Sequence, residues 1–262
     1  MSIHIGIGGW VFEPWRDNFY PKGLSQKREL EYASSKLTGI EVNGTYYGSQ
    51  KPETFRKWHD ETPEGFVFTL KGPRFATNRR VLAEAGDSIS RFIDSGITEL
   101  KDKLGPINWQ FMATKKFDPT DFAAFLDLLP KRSGSRALRH AVEVRHDSFK
   151  DEAFVKMCRD HGVAIIFAAD SEFPTIADVT ADFIYARIMG TDAKEKLGYP
   201  KATLAKWADR AQRWADGETS PKTLELLAKP AAKKKRDVFL FVISGAKEKN
   251  PAAAQEIIAA LK

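Results

Sequence analysis

The sequence predicts an α/β fold, a single TIM-type (β/α)8 barrel covering residues 1–262. Three observations carry the prediction. Short apolar, β-branched runs alternate with longer amphipathic stretches from end to end, with no hairpin signal between them, which is the pattern of a parallel sheet with helices outside it. The strand-like runs number eight, and the length of 262 residues is close to the roughly 250 that a closed barrel takes. No G-x-G-x-x-G follows the first run, since Gly6, Gly8 and Gly9 have a different spacing, so an open dinucleotide-binding sheet loses its main support.

In chain order, strands are expected at Ile3–Gly8, Gly39–Asn43, Phe66–Lys71, Ile107–Met112, Ala141–Arg145, Ala164–Ala168, Phe183–Ile188 and Val238–Ser244. Between them, apolar residues at three- and four-residue spacing predict helices over Gln26–Leu37, Glu53–Asp60, Ser88–Leu104, Thr120–Leu129, Asp151–His161, Lys201–Asp216 and Pro251–Leu261. Pro52, Asp118-Pro119 and Asn250-Pro251 suit helix N-termini, and Gly162 suits a C-terminal cap. The sixth unit is irregular, because SEFPTIADVT is too short for more than a helical turn. Residues 217–236 read as a basic insertion before the last strand.

Successive strand residues point to opposite faces, and in a closed barrel one face meets the helices and must be apolar. Strand two puts Glu41 and Asn43 opposite Ile40 and Val42, and strand three puts Val67, Thr69 and Lys71 opposite Phe66, Phe68 and Leu70. Asn108 and Gln110, Glu143 and Arg145, and Tyr185 and Arg187 share the inner face of strands four, five and seven. These groups fall late in their strands, on the side where this fold builds its sites, and Asp170 joins them just past strand six. Unpaired ions inside a barrel would lose several kcal/mol of hydration, so they must be paired or bound. A self-neutralising network is one reading. A functional pocket is the other, since six charges on five strands exceed what structure alone needs.

On the functional reading, Glu41, Glu143 and Lys71 are the expected catalytic residues, with a glutamate as general base. Asn43, Tyr47, Gln110, Arg145, Asp170 and Arg187 are expected to bind substrate, the cations clamping a carboxylate or phosphate. Tyr46 shares the loop after strand two with Tyr47, and the aromatic run from Trp10 to Tyr20 is either a lid or a packed loop. No cofactor is expected. His4, His59, His140, His146 and His161 are scattered, which disfavours a metal site, and no G-x-S-x-G elbow supports a nucleophile triad.

These residues also carry a family resemblance. GGWVFEPWRDNFYP, IEVNGTYYGSQKPETFRKW, FVFTLKGPRFAT, LGPINWQF, AVEVRHDSF and FIYARIMGT occur in the order in which the YecE-like family (DUF72), of unknown function, has its motifs. The resemblance spans roughly Ile3 to Thr191 and implies a βα barrel. It also implies that Glu41, Asn43, Thr45, Tyr47, Lys71, Gln110, Glu143, Arg145 and Arg187 are the family's signature polar positions. This chain departs from the family pattern at Asn78 and Met189, where histidines are common, at Ile243-Ser244, where an Asn pair is common, and in QFMATKKF. A mechanism resting on those histidines therefore does not transfer.

Composition bounds the rest. Hydrophobic residues make up 42% and charged residues 29%, which suits a soluble globular chain with a large core. The single cysteine, Cys158, excludes an intrachain disulfide and reads as a small buried residue. The N-terminus lacks the pattern of a secretory signal and no window resembles a membrane span, so a cytoplasmic setting is expected. Net charge is +6, with a basic run at Lys229, Lys233, Lys234, Lys235 and Arg236. Three functions fit: an enzyme on a small anionic or sugar-like molecule (hydrolase, isomerase or lyase), a nucleic-acid-binding or repair protein using Lys233, Lys234, Lys235 and Arg236, or a non-catalytic metabolite-binding protein.

Overall fold

The computed structural model describes residues 1–219 and 223–261. Eight strands run parallel: β1 Ile3–Gly8, β2 Gly39–Val42, β3 Val67–Lys71, β4 Leu104–Gln110, β5 His140–Glu143, β6 in two pieces (Ala164–Ile165 and Phe167–Ala169), β7 Phe183–Ile188 and β8 Asp237–Val242. Neighbours in sequence pair throughout, and β8 returns to β1 in the register Ile3↔Val238 to Ile7↔Val242. The first piece of β6 pairs with β5 and the second with β7, so the ring closes through this one strand. The fold is the (β/α)8 barrel.

Helices α1 Glu29–Lys36, α2 Pro52–Asp60, α3 Gly86–Ile93, α4 Pro119–Asp127, α5 Glu152–His161, α6 Lys201–Ala215 and α7 Asn250–Ala260 follow every strand except β6. Residues 170–182 carry no helix, which is the irregular sixth unit. Start and stop signals act as their chemistry requires. The Asp118 carboxylate accepts from the Thr120 and Asp121 amides at 3.0 Å each, and Gly162 ends α5 at φ +66°.

The helix expected over Ser88–Leu104 is corrected. α3 stops at Ile93, Gly96 turns the chain at φ +99° against Pro52, Ile97–Lys103 is 3-10 turns broken by a kink at Lys101 (φ +48°), and β4 already begins at Leu104. Pro106 lies inside β4, and having no N–H it cannot donate to the ladder. The β3–β4 register shifts there, from Phe68↔Leu104 to Leu70↔Ile107, as a bulge.

Side-chain parity divides the core in two. Val67, Ala141, Ala164, Ile166, Phe183, Tyr185, Phe239 and Phe241 fill the barrel interior as one cluster. Ile5, Ile40, Phe68, Ile107, Trp109, Val142, Ile184 and Leu240 face the helices in another. Cys158 is buried in that outer layer, where burial pushes its thiol well above the ordinary value. It is expected not to react with a disulfide reagent in the native chain and to react once per chain in denaturant. Rapid native reaction would mean that α5 lifts off the barrel.

Of the expected insertion, residues 220–222 lie outside the described residues. The described parts, 217–219 and 223–236, have no strand or helix, and the second is pinned by the buried Asp178 carboxylate, which accepts from the Leu227 and Ala228 amides at 2.9 and 3.1 Å. The expectation that Arg236 joins Lys233, Lys234 and Lys235 in contacting nucleic acid is corrected. Arg236 is 1% exposed and donates to the Ala181, Lys234 and Ala232 carbonyls, whereas Lys233, Lys234 and Lys235 are exposed. No helix among the described residues is long and apolar enough to cross a membrane.

Candidate functional site

Five strands, β2, β3, β4, β5 and β7, deliver polar groups to the inner face toward their C-terminal ends, and these groups meet. Arg187 on β7 is the hub. One guanidinium nitrogen donates to Glu41 on β2 at 3.0 Å and another to Glu143 on β5. Glu41 also accepts from the Tyr185 hydroxyl at 2.6 Å and the Asn108 amide at 3.3 Å, while Glu143 accepts from Arg145 at 2.6 Å. Both glutamates are fully buried.

Above them three cations converge on a single neutral oxygen. Gln110 Oε1 accepts from Lys71 Nζ at 2.6 Å, Arg145 at 2.9 Å and Arg187 at 3.4 Å. Arg187 Nε, also buried, has no hydrogen-bond partner. A cavity of about 290 Å³ opens over this layer, lined by Asn43, Lys71, Gln110, Arg145 and Arg187, with Ser244 and Lys247 from the β8–α7 loop and Asn250 from the start of α7. The glutamates are not in its lining. Ser244 is held at φ +60°, a strained setting for a residue other than glycine, and lies on the cavity wall.

The electrostatics follow from this arrangement. Burial works against the Glu143 carboxylate, but Arg187, Arg145 and Lys71 together hold it below its ordinary value. Burial likewise opposes the charge on Arg187, and Glu143 and Glu41 hold it firmly protonated. Lys71 is different. Burial, and next Arg187, push its ammonium down to about 8, and the glutamates only partly offset them. Its Nζ lies 4.7 Å from the centre of the Tyr46 ring. Burial also lowers Lys247, whose Nζ lies 4.2 Å from the centre of the Phe12 ring.

Most of the residues expected from the sequence are brought together: Glu41, Asn43, Lys71, Gln110, Glu143, Arg145 and Arg187. Two are not. Asp170 sits at φ +55°, accepts from the Tyr199 hydroxyl at 3.0 Å, and lines a separate crevice between β6 and α6, because its left-handed turn carries it off the strand. Tyr47 is 66% exposed beside Arg74, since the helical turn Gly44–Tyr47 points it outward and leaves Tyr46 over Lys71. Lys247 and Phe173, whose ring lies 4.2 Å from the Arg145 guanidinium, had no sequence signal beyond lying in loops after strands, while Ser244 stands at the end of the expected last strand, where the family pattern commonly has Asn.

The aromatic run after β1 is packed. Trp15 is fully buried and donates to the Lys247 carbonyl at 2.9 Å, and the Tyr20 hydroxyl donates to the Trp10 carbonyl at 2.5 Å. Among the described residues no group of three or more His, Cys, Asp or Glu could hold a metal. His146 Nδ1 accepts from the Ser148 amide, and His140, between Trp109 and the Pro130 carbonyl, is pushed by burial to about 4.

A family model described as a protein of unknown function, DUF72, matches residues 4–262. The UPF0759 protein YecE of Escherichia coli K12 is 29% identical over 150 residues, 56% of this chain and 50% of YecE. YunF of Bacillus subtilis is 28% identical over 114 residues, 42% of this chain and 39% of YunF. The chain thus spans about half the length, or less, of the curated relatives it matches. A DUF72 family protein of Thermotoga maritima superposes with a TM-score of 0.76 at 20% identity, covering 100% of this chain and 99% of that one, a likeness of fold.

Proposed function

Because this chain belongs to the DUF72 family, whose function is unknown, its role has to be read from the site, and we propose that the mouth of the barrel binds a small oxyanion-bearing molecule and acts on it by acid/base chemistry through Lys71. The carrying observation is the convergence of Lys71, Arg145 and Arg187 on Gln110 Oε1 at the floor of an open cavity with no carboxylate in its lining. Glu41 and Glu143 beneath them balance two of these three cations, and the one positive charge left over is what an oxyanion entering from the mouth can balance.

The glutamates serve in this reading as fixed counter-ions. A general base works best with a pKa near the operating pH, and Glu143 is held low and covered by its two arginines. Lys71, near 8, passes a proton either way at neutral pH. Isomerase or lyase chemistry, which moves a proton on carbon beside an anionic or sugar-like group, fits such an amine. Hydrolysis would need a positioned nucleophile in addition.

The test is direct titration with inorganic phosphate and sulfate by calorimetry. Arg145→Met is expected to weaken binding at least tenfold, the loss of one charge-assisted hydrogen bond worth about 1.5–3 kcal/mol. Affinity should also fall as pH rises through about 8, where Lys71 loses its proton. Equal affinity in the variant, or no binding at millimolar anion, would remove the pocket as an anion site.

A further inference from the structure

A second and larger cavity, about 700 Å³, lies at the opposite end of the barrel. Its walls come from the residues entering β5, the end of α5, the residues entering β7, and the described part of the insertion. The volume is within the roughly 300–1,000 Å³ of small-molecule sites. Leu138, Val179, Phe183 and Ala231 give it an apolar side.

The charged side is unbalanced. Lys131, Arg139, Arg159, Lys234 and Arg236 line the cavity against one carboxylate, Asp182. Arg139 is already paired with Asp237 at 2.9 Å. Arg159 is ion-paired with the buried Asp178 at 3.6 Å, but its buried Nη2 has no hydrogen-bond partner. Arg236 is buried on three neutral carbonyls, and among the described residues no carboxylate forms an ion pair with it. A buried guanidinium on neutral acceptors keeps its charge while losing most of its hydration, a cost that a bound anion relieves.

We propose that this cavity is a second ligand site, for an organic oxyanion with an apolar body, its carboxylate or phosphate bound by Arg159, Lys234 and Arg236 and its body against Leu138, Val179 and Phe183. The basic run before β8 is then one wall of a pocket. The site is independent of the one at the mouth.

Phenyl phosphate and benzoate, with benzyl alcohol as the uncharged control, test it by calorimetric titration of the full chain. At least one anion is expected to bind at least tenfold more tightly than benzyl alcohol, and the stronger of the two identifies the preferred head group. That affinity should survive Arg145→Met at the mouth and fall at least tenfold when Lys131→Glu and Lys234→Glu are combined. Both lysines are exposed, so folding is preserved, which circular dichroism checks. No binding at millimolar probe, equal binding of benzyl alcohol, or binding lost in Arg145→Met but not in the lysine pair would each overturn the proposal.

Discussion

Replacing Arg187 by alanine is expected to lower stability by about 3–5 kcal/mol at neutral pH, the usual cost of removing one partner from a buried ion pair. Arg187 holds two fully buried carboxylates, Glu41 and Glu143, and its removal leaves Glu41 without an ion-pair contact and Glu143 in contact with Arg145 alone, with Lys71 as the next nearest cation. The pH dependence has a definite sign. In the native chain Glu143 titrates below its unfolded value, so its contribution is complete above that value and is lost as pH falls through the folded one. In Arg187→Ala a carboxylate left buried without its cation titrates above its unfolded value, and protonating it relieves the penalty. The deficit against wild type should therefore be greatest at neutral pH and shrink as pH falls through that raised value. Urea unfolding at several pH values measures it. Adding Glu41→Gln to Arg187→Ala should restore part of the loss. A loss below about 1 kcal/mol, or one constant with pH, would mean that the ionic layer does not hold the barrel mouth together.

Lys71 is expected to be the lysine most reactive toward a phosphate-bearing aldehyde. With its ammonium near 8, against about 10.4 for an ordinary lysine, the free-amine fraction at neutral pH is on the order of 100-fold larger. Pyridoxal 5′-phosphate with borohydride reduction, followed by peptide mapping, reads this out. Label should concentrate on Lys71, with Lys247 on the same cavity second, and inorganic phosphate should compete. Label spread over exposed lysines while Lys71 stays unmodified would contradict both its lowered basicity and its access from the mouth. Lowered basicity also acts on stability. The unfolded chain keeps a proton on Lys71 that the folded chain releases near 8, so this lysine's contribution to stability rises with pH between about 8 and its unfolded value.

The ionic layer answers to both readings of the inward charges. The two glutamates with Arg187 and Arg145 form the self-neutralising network, and in doing so they leave Lys71 and the outer face of Arg145 turned to an open cavity. The same side chains thus hold the mouth together and give it a positive floor. This is why a substitution at Arg187 is read as stability and one at Arg145 or Lys71 as binding.

Periodicity and parity carried far in this chain because they are local. Strand β1 and strand β7 fall where the alternation put them, and Glu41, Lys71, Gln110, Glu143 and Arg187 turn inward because a two-residue repeat can present them only that way once Ile40, Leu70, Trp109, Val142 and Ala186 face the helices. The α3 error was also local in origin. Ile97 and Leu100 continue the apolar spacing of α3, but the left-handed Gly96 against Pro52 ends the helix before them, and that contact comes from a different helix.

The sequence by itself determined which residues enter the barrel, how many strands close it, and that a patch of ions lies near the strand ends. Only the tertiary structure decided which of those ions neutralise each other and which remain free. Gln110 as the shared acceptor, Tyr46 in place of Tyr47, Asp170 turned away and Arg236 buried under the opposite end all depend on the level at which neighbouring strands pair and on where loops fold back. Those are contacts between residues far apart in the chain, and a two-residue repeat carries no record of them.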